Sequence, residues 1–188
     1  MERDPRALYN DELYRQWRDS RSDWDTEARK DIDFYLGNHF TADESDELAS
    51  RNQADIPMDR VSAAIEKFKA VLTSRPPAFT LTPREDSDVQ VATLWRTIMG
   101  YVWQNSDGDW QMKQAIQDYA TTGMGYLYAY IDSESDFGRG DVKFTYVDPF
   151  RVYASPSSRD RWFSDSDGII LSTILTGEQA VNLYPELA

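Results

Sequence analysis

The stretch "MGYLYAYIDSESDFGRGDVKFTYVD", Met124–Asp148, decides the fold class. Its two ends, "MGYLYAYID" and "DVKFTYVD", are rich in aromatic and β-branched residues and read as strands. The middle, "SESDFGRG", is polar and carries two glycines, which predicts a hairpin loop. A hairpin here matters because most of the chain before Gly123 reads as helices. Helices first and strands second predict an α+β class, with a small, mostly antiparallel sheet following N-terminal helices.

Working upstream, residues 8–36 read as one long helix. Tyr9, Leu13, Trp17, Trp24, Ala28, Ile32 and Tyr35 fall on one stripe, with charged residues between them. Gly37 and Asn38 stop it. "TADESDELASRNQADIP" is a polar linker with room for a helical turn or two. A second helix is expected from Asp59 to about Thr73, burying Val61, Ala64, Ile65, Phe68 and Leu72. Pro76 and Pro77 break it, and Phe79 and Leu81 alternate with threonines as a short strand ending at Pro83. Ser87-Asp88-Val89-Gln90 fits a capping box heading a third helix, whose inner face is Val91, Trp95, Ile98 and Val102. "NSDGD" interrupts near Gly108, and a fourth helix, about 109–122, ends at Gly123. These boundaries suggest residues 1–57, a long helix and linker, ahead of an α+β region over 58–188, the two forming one continuous domain.

Downstream of the hairpin come "PFRVYASP", a strand over Gly168–Leu175 and a short helix, Glu178–Tyr184, stopped by Pro185. Between them "RWFSDSDGIILS", Arg161–Ser172, imitates the acidic half of a calcium loop. With Gly168 at loop position 6, however, positions 1 and 12 fall on Phe163 and Ile174, which offer no carboxylate. The stretch reads instead as a polar turn entering a strand.

Composition narrows the function classes. Of 188 residues 13% are aromatic, including six Trp and eleven Tyr, so a packed core is expected despite a net charge of −13 and a mean hydropathy of −0.66. There is no cysteine, which removes disulfides and thiolate chemistry. The single histidine, His39, argues against a Ser-His-Asp triad or a multi-His metal site and reads as a packing or capping residue at a helix end. No P-loop occurs; Gly123-Met124-Gly125 reads as a helix stop followed by close backbone packing. Asp132, Glu134, Asp136 and Asp141 are numerous enough for a two-metal nuclease, but they crowd one hairpin loop rather than converge from rigid elements. Arg139-Gly140-Asp141 reads as a turn. No apolar run is long enough to span a bilayer, and the acidic balance disfavours tight nucleic-acid binding. We therefore expect no metal, no cofactor and no catalytic residue.

The segments without chemistry carry a resemblance. "DFYLGNHF", "SRPPAFTLTPREDSD" and "YVDPFRVYASPSS" resemble corresponding steps of tailed-bacteriophage portal proteins of the short-tailed type. Gly37 and Phe40 match the family's helix-ending step. Pro76, Pro77 and Pro83 match its proline-broken strand, and Gly123 and Gly125 its Gly-x-Gly turn. Asp148, Pro149, Tyr153 and Pro156 match its Asp-Pro bend. His39-Phe40 replaces the family's usual Gln-Trp, and Asp59 stands where the family tends to have Asn. The resemblance implies a wing- or hip-like structural subunit of the virion, assembled in a ring, usually of twelve, at one capsid vertex. It implies identical neighbours, capsid and scaffolding proteins, the terminase motor and tail adaptors as partners, with double-stranded DNA passing through weakly bound. It also implies stem and clip elements beyond Ala188. Two rival readings are an acid-rich metal enzyme and a non-viral scaffold or adaptor. Because the chain is hydrophilic yet rich in Trp, the Tyr9–Tyr35 stripe is expected to be partly uncovered, with Trp17 and Trp24 meeting a neighbouring subunit.

Overall fold

The computed structural model describes residues 5–83, 88–160 and 162–184. The class is α+β: helices lead into two small antiparallel sheets. The chain divides into two compact units, residues 24–149 and residues 1–23 with 150–188. The division does not fall at residue 57.

The larger unit begins in α2, Ser22–Tyr35, and continues through α3 (Ala42–Ser50), α4 (Val61–Leu72), α5 (Val89–Asn105) and α6 (Gly108–Thr122). It closes on the hairpin β1, Tyr126–Asp132, and β2, Asp141–Val147. The expected linker holds α3 because Thr41 and Glu44 form a reciprocal capping box. At α4 the Asp59 carboxylate accepts the Ser62 N–H at 3.0 Å and also the Ser62 hydroxyl. Residues 76–83 form no strand. Three prolines strip that segment of backbone donors, and Phe79 packs edge-on against Trp103, ring centroids 5.6 Å apart. Ser87, expected as a cap, lies outside the described residues.

Two glycines fix the packing of this unit. A Cβ on Gly108 would sit 2.3 Å from the Trp103 ring, and one on Gly125 would sit 2.1 Å from the Ala115 carbonyl oxygen. Between α6 and β1, Gly123 takes a left-handed φ of +79° and donates its N–H to the Tyr119 carbonyl at 3.0 Å.

The hairpin pairs Tyr126 with Val147 through to Asp132 with Asp141. Its outer edge on β2 is covered by side chains from the helices. Ser106 Oγ accepts the Phe144 N–H at 3.0 Å, and Gln111 Oε1 accepts the Tyr146 N–H at 2.8 Å. Capping alternate N–H groups in this way protects a strand edge from stray pairing. Tyr146 donates its hydroxyl to Asp118 on α6. Burial pushes the Asp118 carboxyl up, and burial followed by that hydrogen bond pushes the Tyr146 phenol up. The connecting loop contains one tight turn, Ser135–Gly138, in which Asp136 and Phe137 take left-handed dihedrals.

The smaller unit joins α1, Pro5–Ser20, to the strands β3, Val152–Ala154, and β4, Ile169–Leu171, and to a closing helix, Gly177–Leu183. The expected strand over Gly168–Leu175 is thus shorter. Beyond Leu171 the pairing passes to side-chain and single backbone bonds: Ser172 N–H to the Arg151 carbonyl at 2.8 Å, and Arg151 Nε to the Ser172 carbonyl at 2.7 Å. Pro185 lies outside the described residues.

The single helix expected over 8–36 is also corrected: it breaks at Arg21 between α1 and α2. Ser20 Oγ binds the Trp17 carbonyl at 2.8 Å and the Arg21 N–H turns back to the Arg18 carbonyl at 3.3 Å. Side-chain capture of a helical carbonyl competes with the i to i−4 ladder. Arg21 is drawn aside to sit over the Tyr153 ring, 4.1 Å from its centroid, and to donate to the Val152 carbonyl.

Candidate assembly surface

The family-like motif residues do not meet at one point. Several of them sit where the chain changes direction. Gly37, at φ +88°, ends α2, and beyond it His39 stacks on Phe34 with centroids 4.5 Å apart, leaving Phe40 exposed. Pro76 and Pro77 follow the end of α4, and Pro83 is exposed. Pro149, fully buried, opens the 3-10 turn Pro149–Arg151 that carries the chain out of the hairpin after Asp148. Tyr153 is buried, packs edge-on against Tyr14 at 5.0 Å and lies under Arg21, while Pro156 is exposed. Burial is the largest cause of its raised phenol pKa. Tyr14 and Arg21 were invisible to the sequence reading because cation–π and edge contacts leave no periodic trace.

The acidic loops are occupied from within. The Asp165 carboxylate accepts the Ser158 hydroxyl at 2.6 Å and the Arg159 N–H at 2.7 Å, with the Asp160 N–H at 3.2 Å. Those donors, the Ser158 hydroxyl first, hold its pKa down at about 2. Asp132 receives Lys143 Nζ at 2.5 Å, the Ser135 hydroxyl at 2.7 Å and the Glu134 N–H at 3.2 Å, and is likewise held at about 2, chiefly by Lys143. Asp141 accepts the Asn105 amide at 2.9 Å. These carboxylates organise loops; among the described residues no three His, Cys, Asp or Glu side chains form a group able to hold a metal ion.

What the molecule does present is uncovered apolar surface. Trp17 is 4% exposed within its own chain, so it has almost no area to offer a neighbour. Trp24 is half-buried, its indole N–H donating to the Thr122 carbonyl at 3.1 Å. Of the stripe, Tyr9 is the most exposed, at 65%. Two faces expected to be internal are open instead. α4 contains no fully buried residue, with Phe68 at 42%. On α5 the first half of the expected inner face is open, with Trp95 at 51%, and only its end, Val102 and Trp103, is buried. Ala64, Ile65 and Phe68 of α4, Tyr119 and Ala120 of α6 and the Gly123 that follows it line a shallow groove of about 450 Å³. Uncovered amphipathic faces of this extent mark surfaces built to meet another protein.

A polypeptide with motif residues at chain turns and with open apolar faces has the character of a structural, assembling protein. The comparison with known families gives the particular one: residues 11–188 match the phage P22-like portal protein family, and the chain belongs to it. It is a phage portal protein, and the family is a structural one, found in virions. No curated protein matches the chain significantly. Among the described residues no helix is long and apolar enough to cross a membrane.

Proposed function

We propose that this chain is a subunit of a closed ring, of about twelve copies, set at one capsid vertex, through which double-stranded DNA is packaged and later ejected. The family match over residues 11–188 carries this reading. The open apolar faces of α4 and α5 support it, because a monomer gains nothing by leaving Trp95 and Phe68 in water. In this role the α+β region acts as wing or hip and contacts identical neighbours and the capsid and scaffolding proteins. The terminase motor and tail adaptors dock on the assembled ring. The chain itself catalyses nothing and needs no cofactor; its carboxylates serve loops.

DNA passes with weak contact. At net charge −13 the surface releases few counterions from the duplex, so binding is weak and its dependence on salt is slight. Electron microscopy of negatively stained full-length protein, with native mass spectrometry, tests the reading. Closed rings of uniform copy number are expected. A protein that stays monomeric at high concentration would overturn it.

A further inference from the structure

Charge is not spread evenly along this acidic chain. Residues 60–75 carry Arg60, Lys67, Lys69 and Arg75 against Glu66 alone, a net of +3. The segment immediately before it, residues 41–59, carries Asp43, Glu44, Asp46, Glu47, Asp55 and Asp59 against Arg51 alone, a net of −5. The basic segment is α4 with its two ends. Lys69 is committed within the chain, to Glu66 at 2.6 Å and Gln117 at 3.1 Å. Arg60, Lys67 and Arg75 are exposed and form no ion pair among the described residues. They stand before, within and after a 12-residue helix, about 18 Å long at 1.5 Å per residue.

Between these cations runs the uncovered stripe. Ala64, Phe68, Val71 and Leu72 recur at helical spacing, and the groove shared with Tyr119 and Ala120 of α6 opens beside them. The acidic segment has the matching character. After α3 it runs without regular structure, and it holds two large apolar side chains out in water, Ile56 at 73% and Met58 at 76% exposure. Asp43 and Asp46 on α3 have no cationic partner among the described residues.

We infer that the acidic arm Thr41–Asp59 of one copy docks on the basic, apolar α4–α6 face of the next copy, with Ile56 and Met58 entering the groove and Arg60, Lys67 and Arg75 meeting the carboxylates. The arm and the face are different surfaces of one chain, so the contact is head-to-tail. Such contacts propagate around a closed ring rather than stopping at a dimer. Within one copy the arm leads directly into α4, so Met58 is held before the helix rather than against its middle. Two anchors cover less than the ~800 Å² that each partner contributes to a standard interface. The arm therefore sets register and neighbour identity within a larger contact, the usual service of complementary charge. This inference rests on the ring reading above.

Residues 1–188 hold no cysteine, so the contact can be trapped covalently in full-length protein in which any cysteine elsewhere is replaced by serine. Met58→Cys and Phe68→Cys together, under mild oxidation, should give a ladder of covalent oligomers extending past the dimer on denaturing gels. Either change alone should give dimers at most. Lys67→Glu should raise the concentration needed for half-assembly by about tenfold, and Asp46→Lys in the same chain should restore it in part. A wild type that forms rings while the double variant stays monomeric, or ladders no better than Met58→Cys paired with Tyr9→Cys, overturns the inference and leaves the ring reading standing. A wild type that never assembles overturns both. If Lys67→Glu with Arg75→Glu lowers retention of duplex DNA and leaves assembly unchanged, the face serves DNA and the inference is wrong.

Discussion

The two ends of α5 meet opposite fates. At its C-terminal end Val102 and Trp103 are buried, Ser106 is buried beside them, and the elbow at Asp107-Gly108 turns the chain so that α6 and the hairpin close over the indole. At its N-terminal end Val91, Leu94 and Trp95 carry the same helical periodicity and stay half in water. Apolar residues recur at helical spacing along both halves of the helix. The difference is that, among the described residues, only the C-terminal end is fully covered by its own chain. Periodicity states that a face must be covered; it says nothing about which molecule covers it.

The sharpest way to break this comparison is at the buried indole. Trp103 donates its Nε1–H to Asp109 at 2.9 Å and packs between Phe79 and Phe144. Trp103→Ala should cost about 3–5 kcal/mol of stability, read by denaturant unfolding. A loss below about 1 kcal/mol would show that the helix end is not core.

Next in size is Gly125→Ala. The new methyl would sit 2.1 Å from the Ala115 carbonyl oxygen, and backbone cannot swing away as a side chain can. About 3 kcal/mol is expected from overpacking, with α6 and β1 forced apart. Gly37→Ala, which meets nothing within 4 Å, controls for loss of glycine as such, since it carries only the left-handed φ penalty. Equal losses in the two variants would remove the packing argument.

Ser106→Ala is smaller. It leaves the Phe144 N–H without its acceptor in a partly buried place, at a cost of about 1–3 kcal/mol. Hydrogen exchange at Phe144 should quicken, while that at residues of β1 paired in the ladder changes less. Unchanged exchange would mean that water serves equally well.

How far the sequence could be read follows the same line. The hairpin, its register-bearing strands and the stops at Gly37 and Gly123 were legible, because alternation and turn chemistry are local. The break at Arg21 was not, since it depends on Tyr153, distant in sequence, drawing the guanidinium aside. Phe79 and Leu81 alternate as a strand would, but three prolines deny the segment a ladder. Trp17 was expected at a neighbour's surface and Trp95 in the core; exposure reverses their places in the isolated chain. An apolar face reads the same in sequence whether it meets its own chain or another copy.

Acid tests the loop that Asp165 organises in the small unit. Asp165 is held at about 2, below its ordinary 3.8, by donors in its own loop. A depressed folded-state value means that the contribution is complete above about pH 4 and fades as pH falls through about 2. The loop 158–165 should therefore loosen in that window, seen as faster amide exchange at Arg159 and Asp160. Asp165→Asn should exchange fast at neutral pH and lose most of this acid response. A variant with the wild-type pH profile would exclude Asp165 as the group responsible.

The smallest stability effect carries the comparison furthest. Trp95 sits on α5 two turns before Trp103, half in water, and among the described residues no ring contact is seen for it. Trp95→Ala should leave the unfolding free energy of the dissociated chain within about 0.5 kcal/mol of wild type, as truncations at open surface usually do. The same change should weaken assembly of the full-length protein, because removing an exposed indole takes away area that only another copy can bury. Measuring both on one preparation separates the two roles of a single helix. If Trp95→Ala destabilises the dissociated chain as Trp103→Ala does, the face is already covered from within. If it changes neither quantity, the open half of α5 faces solvent in the ring too, and the apolar surface on α4 must account for assembly by itself.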